Sequence, residues 1–290
     1  MRTRILSLAL TLLVIFPAFS KPLERSVINT DKVHSAILGQ DVAYNVYLPK
    51  GYDESGQYPI VYLLHGLYDN YACWAGKGHM KEVVDELIES GELRPVVIIT
   101  PNAGDEDVRK IQNGYFNVPD HNYEDFFFSE FVPTVEKRHH IISDKGHRAI
   151  MGLSMGGGGS VVYCQRHPEM FSSCYSMSGW LDLSDAEREH LPKEPKDKLY
   201  YTRQAVSDHS AIRFVAEADE ATLGRLRTVK WFIDCGDDDF ILDVSLKFYQ
   251  VMRDRGVKAE LRVRDGWHSW EYWHQALRLS LPFASRNFEK

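Results

Sequence analysis

Three places along the chain carry the side chains of nucleophilic chemistry. Ser154 stands in MGLSMGGGGS (Met151–Ser160), with five glycines around it. A serine hydroxyl is a weak nucleophile until an imidazole takes its proton and a carboxylate orients that imidazole. Carboxylates stand together at Asp237, Asp238 and Asp239 in CGDDDF, and an imidazole stands at His268 in DGWHSWEYW. The chain has twelve histidines, so the base must be chosen by position. His139 and His140 close a helical pattern, where an imidazole favours the dipole, and His274 lies inside another. Three adjacent carboxylates are too costly to bury together, so two should face water. The choice of acid among them stays open on this ground. The acidic run lacks the alternating ligands of a calcium loop, and no Lys-Ser/Thr pair follows the glycines as a phosphate-cradling loop requires.

The elements around these residues decide whether they can meet. Asp41 to Leu48 alternates like a strand, and PIVYLL (Pro59 to Leu64) and PVVIIT (Pro95 to Thr100) are short apolar runs of the kind buried on both faces. Arg148 to Gly152, Ser172 to Met177, Lys230 to Asp234 and Lys258 to Arg264 continue the series. Helical patterns lie between them: His79 to Ser90, Tyr123 to His139 with Asn122 as its cap, Met155 to Arg166, Ile241 to Arg255, and a last helix from about Ser269. Strands alternating with helices imply a mostly parallel, doubly wound α/β sheet of about eight strands. The charged stretch from Leu181 to Thr228 interrupts the rhythm and reads as a lid-like insertion.

In this frame Ser154 sits in Gly152-x-Ser154-x-Gly156, between a strand and a helix. That is the nucleophile-elbow pattern, in which a strained turn lifts the hydroxyl above the C-terminal edge of the sheet. The acidic loop and the His268 loop each follow a later strand, in the order serine, acid, histidine, and open at the same edge. The oxyanion of an acyl-transfer intermediate needs two N–H donors. The pattern places one on Met155, directly after the serine, and one on Leu67, in the loop after PIVYLL. His65 orients that loop rather than serving as a second base.

The 290 residues suffice for one large α/β domain or two small ones; 44% are hydrophobic and 26% charged, which excludes a disordered chain. The formal charge of −7 shows no basic face for nucleic acid. Arg2 and Arg4 precede an apolar run from Ile5 to Phe16, with small residues at Ala18 and Ser20. This reads as a signal peptide over residues 1–20, cut before Lys21, leaving 21–290 as one catalytic domain. The run is short for a membrane span, so an exported protein, secreted or periplasmic and not inserted in the membrane after cleavage, is expected. Cys73, Cys164, Cys174 and Cys235 lie in or near apolar segments and read as buried core residues rather than a disulfide framework.

LLHGLYDN, GLSMGGGGS, CGDDDFIL and GWHSWEYW, taken together, resemble the esterase D-type branch of the α/β hydrolases, from about Val27 to Phe288. That branch includes S-formylglutathione hydrolases, secreted feruloyl and acetyl-xylan esterases, and mycolyltransferases. The resemblance implies an α/β-hydrolase fold, Ser154 as nucleophile, His268 as base, and Asp239 as the acid, three residues after the glycine of its loop. It implies no cofactor and no metal, and a small-molecule or carbohydrate-linked ester as substrate. The signal peptide and the tryptophan-rich WHSWEYW depart from the formylglutathione hydrolases and are closer to exported carbohydrate-linked esterases. Tyr68, Trp74, Trp267, Trp270 and Trp273 are the candidate pocket residues. Packing is the competing role for Tyr68 and Trp74, and for Trp270, which shares a helix face with Trp273. Tyr115 and Phe116 are open in the same way. The resulting expectation is a secreted serine carboxylesterase. An acyltransferase with the same triad and a non-catalytic carbohydrate-binding relative are the alternatives.

Overall fold

Four strands are buried along their whole length: Ile60–Leu64, Val97–Pro101, Arg148–Leu153 and Ser173–Met177. Mostly apolar runs give this result because both faces of each strand are covered, with Arg148, Ser173 and Ser176 buried among them. A computed structural model of the protein describes residues 21–104, 113–191, 193–194 and 199–290. Its main sheet has eight strands: β1 Val27–Ser35, β2 Gln40–Leu48, β3 Ile60–Leu64, β4 Val97–Pro101, β5 Arg148–Leu153, β6 Ser173–Met177, β7 Lys230–Gly236 and β8 Ala259–Arg264. They lie in the order β1-β2-β4-β3-β5-β6-β7-β8. The β1–β2 and β2–β4 pairs are antiparallel and every other pair is parallel.

Helices cover both faces: α1 Met80–Glu89 and α4 Trp270–Asn287 on one, α2 Met155–Arg166 and α3 Leu242–Asp254 on the other. The pleat of β3 shows the division. Val61 and Leu63 pack with Val83, Leu87 and Leu277, while Ile60, Tyr62 and Leu64 pack with Phe127, Tyr163 and Phe248. This is the expected fold class, a mostly parallel sheet between two helical layers.

The register aligns the strand ends. Leu64 lies opposite Gly152, Leu153 opposite Met177, Met177 opposite Asp234, and Gly236 opposite Arg264. The residues that follow β3, β5, β6, β7 and β8 therefore emerge side by side at one edge.

Several elements differ from the sequence reading. β1 was not among the expected strands: it carries Asn29, Asp31 and Lys32, and much of it faces water at the sheet margin. The helix expected from Tyr123 to His139 is interrupted by a π turn at Phe127–Phe131, between α-helical Tyr123–Phe126 and Val132–Arg138. Pro133 explains the slip, because it has no N–H to return to the carbonyl of Ser129. Asn122 makes no side-chain cap bond there. Among the described residues the stretch between β6 and β7 holds four short helices, Asp185–Glu189, Tyr200–Asp208, Ala211–Glu217 and Glu220–Leu226. The four cysteines are buried and unpaired. Among the described residues no helix is long and apolar enough to cross a membrane; the apolar N-terminal run lies outside them.

Candidate active site

β5 runs straight into α2, and the reversal falls on Ser154, at φ 52° and ψ −117°. Few residues other than glycine adopt such a backbone, and it persists only where the surroundings enforce it. The Ser154 N–H donates to the Met177 carbonyl (2.9 Å), and the Ser154 carbonyl accepts from Gly158 (3.0 Å) and Trp180 (2.9 Å). Close approach explains the glycines. A Cβ on Gly156 would stand 2.6 Å from the His65 carbonyl oxygen, and one on Gly158 would overlap the Trp180 carbonyl oxygen. The helix thus presses against the loops that leave β3 and β6.

Two loops at the same edge meet this serine. His268 Nε2 lies 2.9 Å from Ser154 Oγ, and His268 Nδ1 lies 2.9 Å and 3.0 Å from the two carboxylate oxygens of Asp239. Nδ1 faces only a carboxylate, so it carries the proton, and Nε2 is left to accept from the serine. Hydrogen bonds stitch the two loops together: Asp237 N–H to the Arg264 carbonyl (3.0 Å), Asp238 N–H to the Gly266 carbonyl (3.2 Å), and Gly266 N–H to the side-chain Oδ1 of Asp237 (3.0 Å). Asp239 turns inward and is buried, while Asp237 and Asp238 stay exposed. Burial alone would push the Asp239 carboxyl up. Hydrogen bonding, from His268 first and from the Ile241 N–H, outweighs it and holds the group below the ordinary carboxylate value.

Leu67 and Met155 flank Ser154. Met155 is the first residue of α2, and Leu67 lines the surface on both sides of the serine. Among the described residues neither N–H donates to a protein acceptor. The loop bearing Leu67 is held from below. His65 is buried, its Nδ1–H donates to the Gly66 carbonyl (2.8 Å), and its Nε2 accepts from the Ala103 N–H (2.9 Å). Burial lowers its pKa to about 4, so it is neutral, fully engaged and unable to act on a substrate. Tyr115 clamps the same residue: its hydroxyl accepts from the His65 N–H (2.7 Å) and donates to the His65 carbonyl (2.9 Å).

Ser154 lies where two recesses meet. The larger, about 410 Å³, is lined by Leu67, Trp180, Phe240, Ile241 and Val244, with Ser184, Glu187, Leu199 and Arg203 contributed by the stretch between β6 and β7. The smaller, about 250 Å³, is lined by Gly66, Tyr68, His268 and Trp273, and shares Leu67, Ser154 and Phe240 with the first. Tyr68 is thus at the site, 55% exposed. So is Trp273, but Trp74, Trp267 and Trp270 are not. Trp74 is fully buried, because its indole N–H is drawn inward to the Leu64 carbonyl (3.1 Å). Trp270 packs edge-on against Trp74 and Trp273, and Trp267 is 68% exposed and lines neither recess. Tyr115 and Phe116 are core residues. Sequence reasoning passed over Phe240, whose ring lies 4.6 Å from that of His268 and is 81% exposed. Its place beside Asp239 was the available signal. Nothing in the sequence pointed to Trp180, Glu187 or Arg203.

The pattern of the family described as "Putative esterase" matches residues 35–284. A solved ferulic acid esterase is 45% identical, covering 92% of this chain and all of its own, with a TM-score of 0.87. An endo-1,4-beta-xylanase/feruloyl esterase of Xylanibacter ruminicola is 26% identical over 268 residues, 90% of this chain. The chain spans only about a third of that relative (32%). A fluorophosphonate-binding serine hydrolase of Staphylococcus aureus shares the fold, at 20% identity over 90% of this chain and 99% of its own, with a TM-score of 0.73.

Proposed function

The chain belongs to the putative-esterase family, and from that premise we propose that it is a serine carboxylesterase acting on small or aromatic acyl esters. The observation that carries the reading is the unbroken chain of hydrogen bonds from Asp239 through His268 to the Ser154 hydroxyl, set at a strained turn beside two recesses. As an ester carbonyl approaches, His268 Nε2 takes the Ser154 proton while Oγ bonds to the carbonyl carbon. Asp239 stabilises the imidazolium. The Leu67 and Met155 N–H groups receive the oxyanion, where each such donor contributes roughly 3 kcal/mol. Collapse breaks the bond to the alcohol oxygen, which leaves with the proton held by His268. A water molecule then repeats the sequence in reverse and frees the acid. The cycle balances without a cofactor or metal.

The larger recess has the apolar lining of an acyl pocket, with Glu187 and Arg203 adding polar groups to it. The smaller recess, bordered by Tyr68, suits the alcohol side. Names of relatives support an aromatic acyl group such as ferulate on a plant carbohydrate. Residues 181–228 serve as the lid over the acyl side, and 21–290 as one catalytic domain. Export rests on the N-terminal pattern of residues 1–20.

The test is a panel of nitrophenyl acyl esters of increasing length, with methyl ferulate and acetylated xylan. Turnover of short or aromatic acyl esters, lost in Ser154→Ala, is expected. A folded enzyme inert to every ester would overturn the reading, and activity confined to short aliphatic acyls would remove the aromatic part.

A further inference from the structure

Trp267 is largely exposed, although an indole has a large apolar body to hide. Trp74, Trp231 and Trp273 are buried, and each gives its N–H to an acceptor, on Leu64, Leu226 and Ser178. Among the described residues the Trp267 indole N–H has no such partner. Nor is the exposure a lone accident. Six large apolar side chains are exposed among the described residues, and three of them are Tyr68, Phe240 and Trp267. These are the immediate neighbours of Leu67, Asp239 and His268, on the loops that follow β3, β7 and β8. Wet aromatic rings gathered at one rim mark a contact surface. The loop also holds Trp267 in place. Gly266, before it, donates to Asp237 Oδ1 (3.0 Å) and accepts from the Asp238 N–H (3.2 Å). His268, after it, is fixed by Asp239 and Ser154. His268 lines the smaller recess and not the larger, so its neighbour Trp267 flanks the alcohol side.

Charge narrows the partner. Asp237, Asp238 and Asp265 are exposed, and each brings a carboxylate oxygen within 4.8 Å of the other two. Such a rim repels an anionic chain or lipid surface and accepts hydrogen bonds from hydroxyls. A neutral sugar ring meets both conditions. Its C–H face lies well against the electron-rich face of an indole, and its edge carries hydroxyl donors. We propose that Trp267, with these carboxylates beside it, forms an outer subsite for a neutral carbohydrate chain. It holds a sugar unit next to the one that bears the ester. The inference deepens the ester reading above and rests on it for the side on which the chain leaves. Stacking away from the reacting carbonyl is the same in ground and transition states, so it acts on KM and not on kcat.

The experiment compares wild type, Trp267→Ala and Trp267→Tyr on two esters of one acid, methyl ferulate and a feruloylated arabinoxylan oligosaccharide. The acyl group is common to both, so the ratio of the two kcat/KM values cancels any disturbance of His268. That ratio, oligosaccharide over methyl ester, should fall about tenfold in Trp267→Ala, through KM, and only about threefold in Trp267→Tyr, which keeps an aromatic face. A second readout needs no ester. Xylo-oligosaccharide free of ferulate, titrated into Ser154→Ala, should shift the tryptophan fluorescence, and adding Trp267→Ala should abolish the shift. An unchanged ratio in Trp267→Ala, or oligosaccharide binding that survives the substitution, would overturn the proposal. So would a Trp267→Ala protein that loses binding to phosphatidylcholine vesicles and keeps binding to sugar, because the ring would then serve a lipid surface. Labelled, active wild type with an unchanged ratio sinks this inference alone. A wild type inert to both esters and unlabelled by a fluorophosphonate sinks the ester reading, and the titration then decides the sugar platform by itself.

Discussion

Removing one oxygen from Tyr115 isolates the support of the oxyanion loop. Tyr115→Phe keeps the ring in its buried place but takes away the hydroxyl that accepts from the His65 N–H at 2.7 Å and donates to the His65 carbonyl at 2.9 Å. Both backbone groups are buried, and an orphaned buried polar group costs about 1–3 kcal/mol. Two of them put the loss at roughly 2–6 kcal/mol, a fall of about 5–15 °C in Tm for a chain of this size. The catalytic effect follows from place. Leu67 is two residues from His65, and full loss of one oxyanion donor costs roughly 3 kcal/mol. A loosened loop loses part of that, so kcat should drop about ten- to a hundredfold with little change in KM. Urea or thermal unfolding measures the first quantity, and steady-state kinetics on a nitrophenyl ester the second. A variant that is destabilised yet keeps wild-type kcat would refute the reasoning, by showing that the loop holds its shape without the clamp or that the Leu67 N–H is not an oxyanion donor.

Two glycines in helices should answer the same substitution with opposite signs. In a helix interior Gly→Ala gains about 1 kcal/mol. Gly224→Ala meets nothing within 4 Å and should raise Tm by a few degrees, whereas Gly158→Ala runs into the Trp180 carbonyl and should lower it, since overpacking costs about 1–3 kcal/mol; calorimetry of both decides. Stability should also fall with acid above the carboxylate range. Burial lowers the pKa of His65 from 6.5 to about 4, so below pH 6.5 the unfolded chain binds a proton that the folded one refuses. The stabilisation is whole above pH 6.5 and drains by about 3 kcal/mol as pH falls to 4. Buried His139, likewise lowered to about 4, adds in the same direction. Urea midpoints that stay flat from pH 7 to 5 would contradict this.

The central strands and the turn at Ser154 were legible because a strand covered on both faces is largely apolar, and a helix pressed against neighbouring backbone must be glycine where they touch. β1 was not, because a marginal strand that turns Asn29, Asp31 and Lys32 to water has no apolar run to betray it. The helices between β6 and β7 hid behind their charge. Yet the capping box of Ser184 and Glu187, and Asp219 accepting from the Thr222 N–H, were local start signals open to a closer reading. The acid could not be chosen among Asp237, Asp238 and Asp239 from residue chemistry, since only the turn decides which one faces inward; resemblance to relatives singled out Asp239. The tryptophans show the same limit. An indole has an apolar body and one polar tip, so Trp74 satisfies the core by giving its N–H to Leu64, and no spacing rule distinguishes that from a pocket wall.

The account depends on one hydroxyl being the reactive one. Incubation with a fluorophosphonate, followed by peptide mass mapping, measures this directly. The account predicts one phosphonyl group per chain, on the peptide containing Ser154, and none in Ser154→Ala. A folded protein left unlabelled, or labelled on another residue while Ser154 stays free, would contradict it.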